Sequence, residues 1–201
     1  MNKYPTRLEA EELLNWASEQ NPGPWVAHSR VTARAAEAIA RAAGMDGDKA
    51  YVLGLLHDIG RYEGVRDMHH IVAGYDLTME KGFKRNARIC LTHSFPLQLF
   101  ASYIGSNDCS EEETKLIQNA LDTVQYDDYD GLIQLCDGIC LPQGITLLQV
   151  RLMDVVMRHG MNEFTLKKWG EQFKLKAHFD GLCGGNIYNL FYDEIRDVSF
   201  R

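Results

Sequence analysis

The chain has 201 residues, a formal charge of -7 at neutral pH and a pI near 5.5. Because an acidic molecule repels other polyanions, long nucleic acids and anionic membrane surfaces are not expected partners, and a small anion can bind only where positive charge is concentrated. Hydrophobic residues make up 45% of the sequence and charged residues 24%, which is typical of a globular protein and excludes extensive disorder.

Two features of the sequence bear on domain organisation and location. No stretch resembles a domain-separating linker, so we expect one domain over residues 1–201. Residues 1–14 carry acidic side chains and lack an apolar segment, and no later stretch reaches the roughly 18 apolar residues that a membrane span requires. These features predict a cytoplasmic protein without a membrane partner.

The five cysteines include no C-x-x-C pair, so they favour neither a disulfide framework nor a structural zinc site. Cys136 and Cys140 lie four positions apart, hence on one face of a helix, and we expect them to fill the core as reduced thiols.

Apolar residues recur at helical spacing along most of the chain. A first helix is predicted at 8–18, before an Asn-Pro-Gly-Pro run that cannot continue it. The next, at 28–43, places His28 on its buried stripe, and a third begins at a cap on Asp46 or Asp48 and runs to Asp58. Further helices are predicted at 70–81, 86–93, 110–121, 132–141, 146–158, 165–175 and 185–195. No stretch alternates persistently enough to be a strand, so the predicted class is an all-α, compact helical bundle.

Histidines and one aspartate are the candidates for chemistry. Five of the seven histidines fall between positions 28 and 93. A lone buried histidine is usually a hydrogen-bonded core residue, but several that arrive with inward aspartates favour a metal site. Asp137 lies in the apolar run 132–141, where an ionised carboxylate is costly without a cation or dense hydrogen bonding. The alternative is that Asp137 shares a partly exposed helix face with Asp130 and Gln134.

These residues resemble the pattern of the HD superfamily, in which a helix-borne His, a later His-Asp doublet and a distant Asp bind metal. The matching residues are His28, His57-Asp58 and Asp137, and the doublet stands in a Leu-Leu-His-Asp-Ile-Gly run at 55–60. The resemblance implies an HD core at about 25–141, an N-terminal helix at 6–19 and C-terminal helices at 145–196 packed on it. It also implies a metal-dependent phosphohydrolase.

Superfamily members with two metals have additional histidines between the doublet and the last aspartate. His70, followed by Gly74, and His93 are similar in this respect to the ligand order of bacterial symmetrical diadenosine tetraphosphate hydrolases. The implied ligand set is His28, His57, Asp58, His70, His93 and Asp137, and His69 is an alternative to His70. Such donors suit two divalent ions of iron, manganese or zinc, which a carboxylate such as Asp58 can bridge as the central catalytic residue.

Substrate contacts are predicted beside this ligand set. Arg61 follows the motif's glycine, where many relatives have Lys, and its guanidinium can bind a phosphate at two points and assist catalysis. The alternative is a solvated arginine at a helix end. His69 is a second candidate for substrate binding, and Trp25 is close enough to His28 to border a nucleoside pocket.

The expected function is hydrolysis of a phosphoester or phosphoanhydride bond in a small nucleotide-like substrate by a metal-activated hydroxide. Two alternatives use the same ligands: an HD-type diiron oxygenase, and a non-catalytic module that binds metal and senses a nucleotide. Phosphate release separates the hydrolase from both. The sequence leaves open the exact substrate, the metal and whether two subunits form a homodimer.

Overall fold

The computed structural model describes residues 4–199, so the ends of the predicted domain, 1–3 and 200–201, lie outside the described residues. Ten α-helices occur in the described part of the chain. They are α1 Arg7–Gln20, α2 Pro24–Ala42, α3 Gly47–Leu55, α4 His69–Glu80, α5 Lys84–Thr92, α6 Glu111–Thr123, α7 Asp128–Asp137, α8 Leu148–His159, α9 Thr165–Leu182 and α10 Tyr192–Ser199. The predicted all-α class is confirmed.

Short elements join these helices. The 3-10 helices are Ile59–Glu63, Phe100–Ser102 and Ile187–Phe191. The strands β1 (Cys140–Leu141) and β2 (Gly144–Ile145) pair antiparallel, with Cys140 opposite Ile145. The prediction of no strand missed this hairpin because two residues a side are too few to show alternation.

Capping residues define several helix starts. Ser110 accepts a hydrogen bond from the Glu113 amide while the Glu113 side chain accepts one from the Ser110 amide, so α6 begins where its acidic sequence predicts. Asp46, rather than Asp48, caps α3 by accepting from the Lys49 amide.

Helix α2 is the central element, because it packs against both α3 and α7. Its residues Ala35 and Ile39 are fully buried with Leu53 of α3 and Ile133 of α7 in one hydrophobic cluster. A Cβ atom on Gly54 would lie only 3.0 Å from the Cα of Ala33, so the glycine allows the backbones of α2 and α3 to approach closely. This contact brings His28, near the start of α2, close to His57, which follows the end of α3.

A second close approach joins the 3-10 helix after the doublet to α4. A Cβ atom on Gly60 would lie 2.0 Å from the carbonyl oxygen of His70 and 2.3 Å from the amide nitrogen of Gly74. Only glycine fits at this position, and its packing places Asp58 beside His70.

Two local predictions were wrong in their boundaries. The doublet His57-Asp58 follows the end of α3 instead of forming its last turn, and Asp137 is the last residue of α7 rather than a mid-helix residue. Asp58 therefore lies between α3 and the 3-10 helix Ile59–Glu63, and Asp137 lies at the end of α7.

Candidate metal centre

Six side chains from five segments meet at one place in the helical bundle. They are His28 of α2, the doublet His57-Asp58 after α3, His70 of α4, His93 directly after α5, and Asp137 of α7. Each of the four histidines is at most 6% exposed, and Asp58 is 5% exposed. The six residues form two adjoining triads.

His28, His57 and Asp137 form the first triad. His28 Nε2 lies 3.0 Å from Asp137 Oδ1, and His57 Nε2 lies 3.9 Å from the same oxygen. The side chain of Asp137 retains 27% exposure, so this triad reaches the surface of a cavity.

Asp58, His70 and His93 form the second triad. Asp58 Oδ1 lies 3.2 Å from His70 Nε2 and 3.5 Å from His93 Nε2. Its other oxygen, Oδ2, lies 3.9 Å from His57 Nε2. Asp58 is therefore the residue that links the two triads.

Backbone carbonyls fix the orientation of three of the imidazoles. Nδ1 of His57 donates to the carbonyl of Gly54 at 2.7 Å, and Nδ1 of His93 donates to that of Cys90 at 2.9 Å. Nδ1 of His70 is hydrogen-bonded to the Asp67 carbonyl in the same way. Because the proton sits on Nδ1 in each ring, Nε2 carries the lone pair that faces the centre, as metal-binding histidines require.

A buried histidine nitrogen without a hydrogen-bond partner supports a metal ion at this centre. His57 Nε2 is buried without a hydrogen-bond partner and lies 3.9 Å from a carboxylate oxygen of each aspartate. A buried acceptor with no donor costs free energy unless something else satisfies it. A cation would satisfy this lone pair and both carboxylates, and imidazole with carboxylate suits iron, manganese or zinc.

Electrostatics keep His57, Asp58 and Asp137 in the protonation state that binds metal. Burial lowers the pKa of His57 to about 4, although Asp58 and Asp137 act to raise it. Burial alone would raise the pKa of Asp58, but the positive charge of Arg61, together with His57 and His70, holds it well below its usual range. Burial alone would raise the pKa of Asp137 too, but the hydrogen bond from His28 and the charges of His28, His57 and Arg151 together lower it.

Arg61 contacts one of the six candidate ligands. Its Nε donates to Asp58 Oδ2 at 2.7 Å, and its side chain, 31% exposed, lines the cavity. It is not a solvated helix-end arginine, because the guanidinium is tied to a candidate ligand. The proposed contact with substrate stays a prediction.

The cavity outside the two triads has a volume of about 1040 Å³. The wall contains Trp25 from the start of α2, as predicted, and its indole Nε1 donates to the Asn21 carbonyl at 2.9 Å. His69 does not line the cavity, since Glu63 and Glu113 hold its two ring nitrogens at 2.9 and 3.1 Å. Of the neighbouring histidines, His70 is the one that faces Asp58.

Sequence reasoning missed the cavity residues that α8 and α9 contribute. Arg151 Nη2 lies 3.8 Å from Asp137 Oδ1, and Lys168 lines the same side of the cavity. Burial lowers the pKa of Lys168 to about 8, against the raising effect of Asp137, so the amine is still mostly protonated at neutral pH. No local signal marks either residue, because both lie on helices that carry many other charged side chains.

The HD domain family model matches residues 25–140, which is more than half of the chain. No curated protein and no solved structure matches the chain. Among residues 4–199, no helix combines the length and the apolar character needed to cross a membrane. The matched segment contains all six residues of the two triads, and the chain belongs to the HD domain family, a superfamily of metal-dependent phosphohydrolases.

Proposed function

We propose that this protein hydrolyses a phosphoester or phosphoanhydride bond of a small nucleotide-like substrate, with two divalent metal ions held by the six residues of the triads. The observation that carries the proposal is the link between the triads: Asp58 directs one oxygen to His70 and His93 and the other toward His57. A carboxylate in this position can bridge two ions, which is the usual arrangement in two-metal phosphohydrolases.

The protein residues have distinct tasks in this proposal. One ion would be held by His28, His57 and Asp137, and the other by His70 and His93. Asp58 would contribute to both. Bound divalent ions lower the pKa of a coordinated water toward about 7 and neutralise charge that grows on a phosphoryl oxygen. Arg61 keeps Asp58 ionised and is close enough to the centre to donate to a phosphate oxygen.

The cavity supports a small substrate. Its volume of about 1040 Å³ is at the upper end of the range for small-molecule sites and suits a nucleotide rather than a polymer. Trp25 offers an apolar wall to a base, and the formal charge of -7 disfavours long polyanions.

Phosphate release tests this function directly. Protein stripped of metal and reconstituted with iron, manganese or zinc is assayed against mononucleotides, dinucleoside polyphosphates and cyclic dinucleotides. We expect metal-dependent release that is lost in Asp58→Asn and kept in Asp76→Asn, a matched change at an exposed aspartate on α4.

Two outcomes would contradict the proposal. Oxygen consumption without phosphate release would favour a diiron oxygenase. Tight nucleotide binding with neither activity would favour a sensing module.

A further inference from the structure

Helices α8 and α9 form one wall of the cavity although both lie beyond residues 25–140 that the family model matches. Arg151 and Arg158 of α8 and Lys168 and Trp169 of α9 are among the residues of this wall. This wall of the cavity is therefore built by a part of the chain outside the segment that the family model matches.

Most of the cations that line the cavity are already paired. Arg151 Nη1 and Arg158 Nη2 lie 2.8 and 2.9 Å from the same carboxylate oxygen, Asp154 Oδ2. Arg61 is paired with Asp58 at 2.7 Å. Their charges are partly neutralised before any ligand arrives.

Lys168 differs from these arginines. It is partly buried and lines the cavity, yet within residues 4–199 no hydrogen bond or ion pair joins its amine to another side chain. Its attraction is to Asp137, whose Oδ1 is already held by His28 at 3.0 Å. A cation taken out of water without a paired anion is costly, so such a residue in a binding cavity calls for an anionic ligand.

We propose that Lys168 binds a phosphate group of the substrate and so contributes to the choice of substrate from outside the family-matched segment. The identity of the anion as a substrate phosphate rests on the proposed function. Metal ions bound by Asp137 would satisfy that carboxylate and leave the lysine as the free positive charge on this wall. An ammonium on a flexible four-carbon stem is a point charge that can follow phosphates of different geometry.

The experiment measures binding of inorganic phosphate by calorimetry to the metal-free and the metal-loaded protein. Lys168→Met and Lys168→Gln remove the charge and keep most of the stem, and Lys168→Arg restores the charge. Lys167→Met is the matched control, because Lys167 is the exposed neighbour on the same helix and is absent from the cavity wall. Melting temperature and metal content are measured for every variant.

We expect the neutral variants to lose phosphate affinity on the order of ten- to a hundredfold, with the melting temperature and metal content unchanged. The KM for the best substrate should rise more than kcat falls. Lys168→Arg should recover most of the affinity, and Lys167→Met should behave as the wild type. A residue with a purely structural role would change the melting temperature and would not separate KM from kcat.

Failure of this inference differs from failure of the proposed function. If the wild type releases phosphate from a substrate but the neutral variants keep its phosphate affinity and its KM, Lys168 is not a phosphate-binding residue. Absence of phosphate binding by the wild type would also overturn the inference. If no phosphorylated compound is hydrolysed and phosphate affinity still depends on Lys168, the anion site stands and the hydrolase does not.

Discussion

The two aspartates of the metal centre keep their charge through different partners. Asp58 is 5% exposed and is held by Arg61 and two histidines, whereas the side chain of Asp137 is 27% exposed and is held mainly by His28. Burial penalises both carboxylates, and in each case several neighbouring donors and cations together outweigh that penalty. A metal ion would replace part of this support without a change of protonation.

Substitution of the two aspartates separates their roles. Asp58→Asn removes the residue of the second triad that links it to the first, so we expect loss of both ions and of nearly all activity. Asp137→Asn removes a ligand of the first triad only, so one equivalent of metal should remain with His70, His93 and Asp58. Elemental analysis after reconstitution checks both results. Equal metal content in the two variants would contradict a bridging role for Asp58.

Arg61→Ala tests the proposed contact with substrate. The loss of one charged hydrogen bond should cost about 1.5–3 kcal/mol of transition-state stabilisation, or roughly ten- to a hundredfold in kcat/KM. Metal content should change little, because bound ions would keep Asp58 ionised without the arginine. Steady-state kinetics on the best substrate gives the answer, and full activity in this variant would remove Arg61 from the phosphate site.

At the scale of the elements, the contact between the 3-10 helix Ile59–Glu63 and α4 sets the distance from Asp58 to His70. A Cβ atom on Gly60 would lie 2.0 Å from the His70 carbonyl, and backbone atoms cannot yield as the end of a flexible side chain can. We expect Gly60→Ala to destabilise the fold by about 1–3 kcal/mol, the usual cost of overpacking, and to weaken metal binding.

The matched control for Gly60→Ala is Gly170→Ala in α9. Nothing lies within 4 Å of a Cβ atom at Gly170, and a helical glycine replaced by alanine gains roughly 0.5–1 kcal/mol. Urea unfolding measures both variants. A stable Gly60→Ala protein with normal metal content would show that the two elements can separate without harm to the site.

The sequence predicted the helices more accurately than their ends. Apolar spacing and caps are local, so α6 starts at its predicted Ser110 cap and His28 lies on the buried face of α2. Helix ends depend on tertiary contacts, so the sequence could not show that α3 stops at Leu55 or that Asp137 ends α7.

The same division holds for the candidate site. The residues of the triads were predicted because a motif and buried histidines mark them within the sequence. Lys168 lies more than a hundred positions from the doublet, and only the packing of α9 brings it to the cavity. Asp130 shows the opposite case: the alternative interpretation of Asp137 placed Asp130 on a partly exposed face, but it is fully buried, and Arg88 Nε donates to it at 3.1 Å.

For the whole molecule, the arrangement of the triads predicts two metal ions per chain. Six ligands exceed what one tetrahedral ion needs, and they separate into two groups of three that each leave positions for water. Protein reconstituted with iron or manganese should hold close to two equivalents. Saturation at one equivalent that persists in His70→Ala and His93→Ala would reduce the site to His28, His57, Asp58 and Asp137.

The stability of the metal-free protein should depend on pH through the buried histidines. Burial lowers the pKa of His57 to about 4, and it lowers that of His70 as well, from an ordinary value of 6.5. Between pH 6.5 and pH 4, His57 binds more protons in the unfolded chain than in the folded one. The free energy of unfolding that this histidine contributes is therefore fully present above about pH 6.5 and is lost as the pH falls. His93 offsets part of this loss, because the neighbouring Asp58 carboxylate favours its protonated form and raises its pKa despite burial.

Urea unfolding in the presence of a chelator, from pH 7.5 to pH 5, measures this dependence. From its pKa alone, His57 should lower the free energy of unfolding by about 2 kcal/mol at pH 5 relative to pH 7.5. This pH range stays above the range in which aspartates with a lowered pKa change the free energy of unfolding. His57→Asn should flatten the dependence of that free energy on pH. The control His159→Asn, at an exposed position, should not. Bound metal should steepen the loss at acid pH, since protons then compete with the ions for the same nitrogens. A profile that is flat or rises toward pH 5 in the metal-free wild type would mean that His57 is readily protonated and that its Nε2 is not held ready for a metal ion.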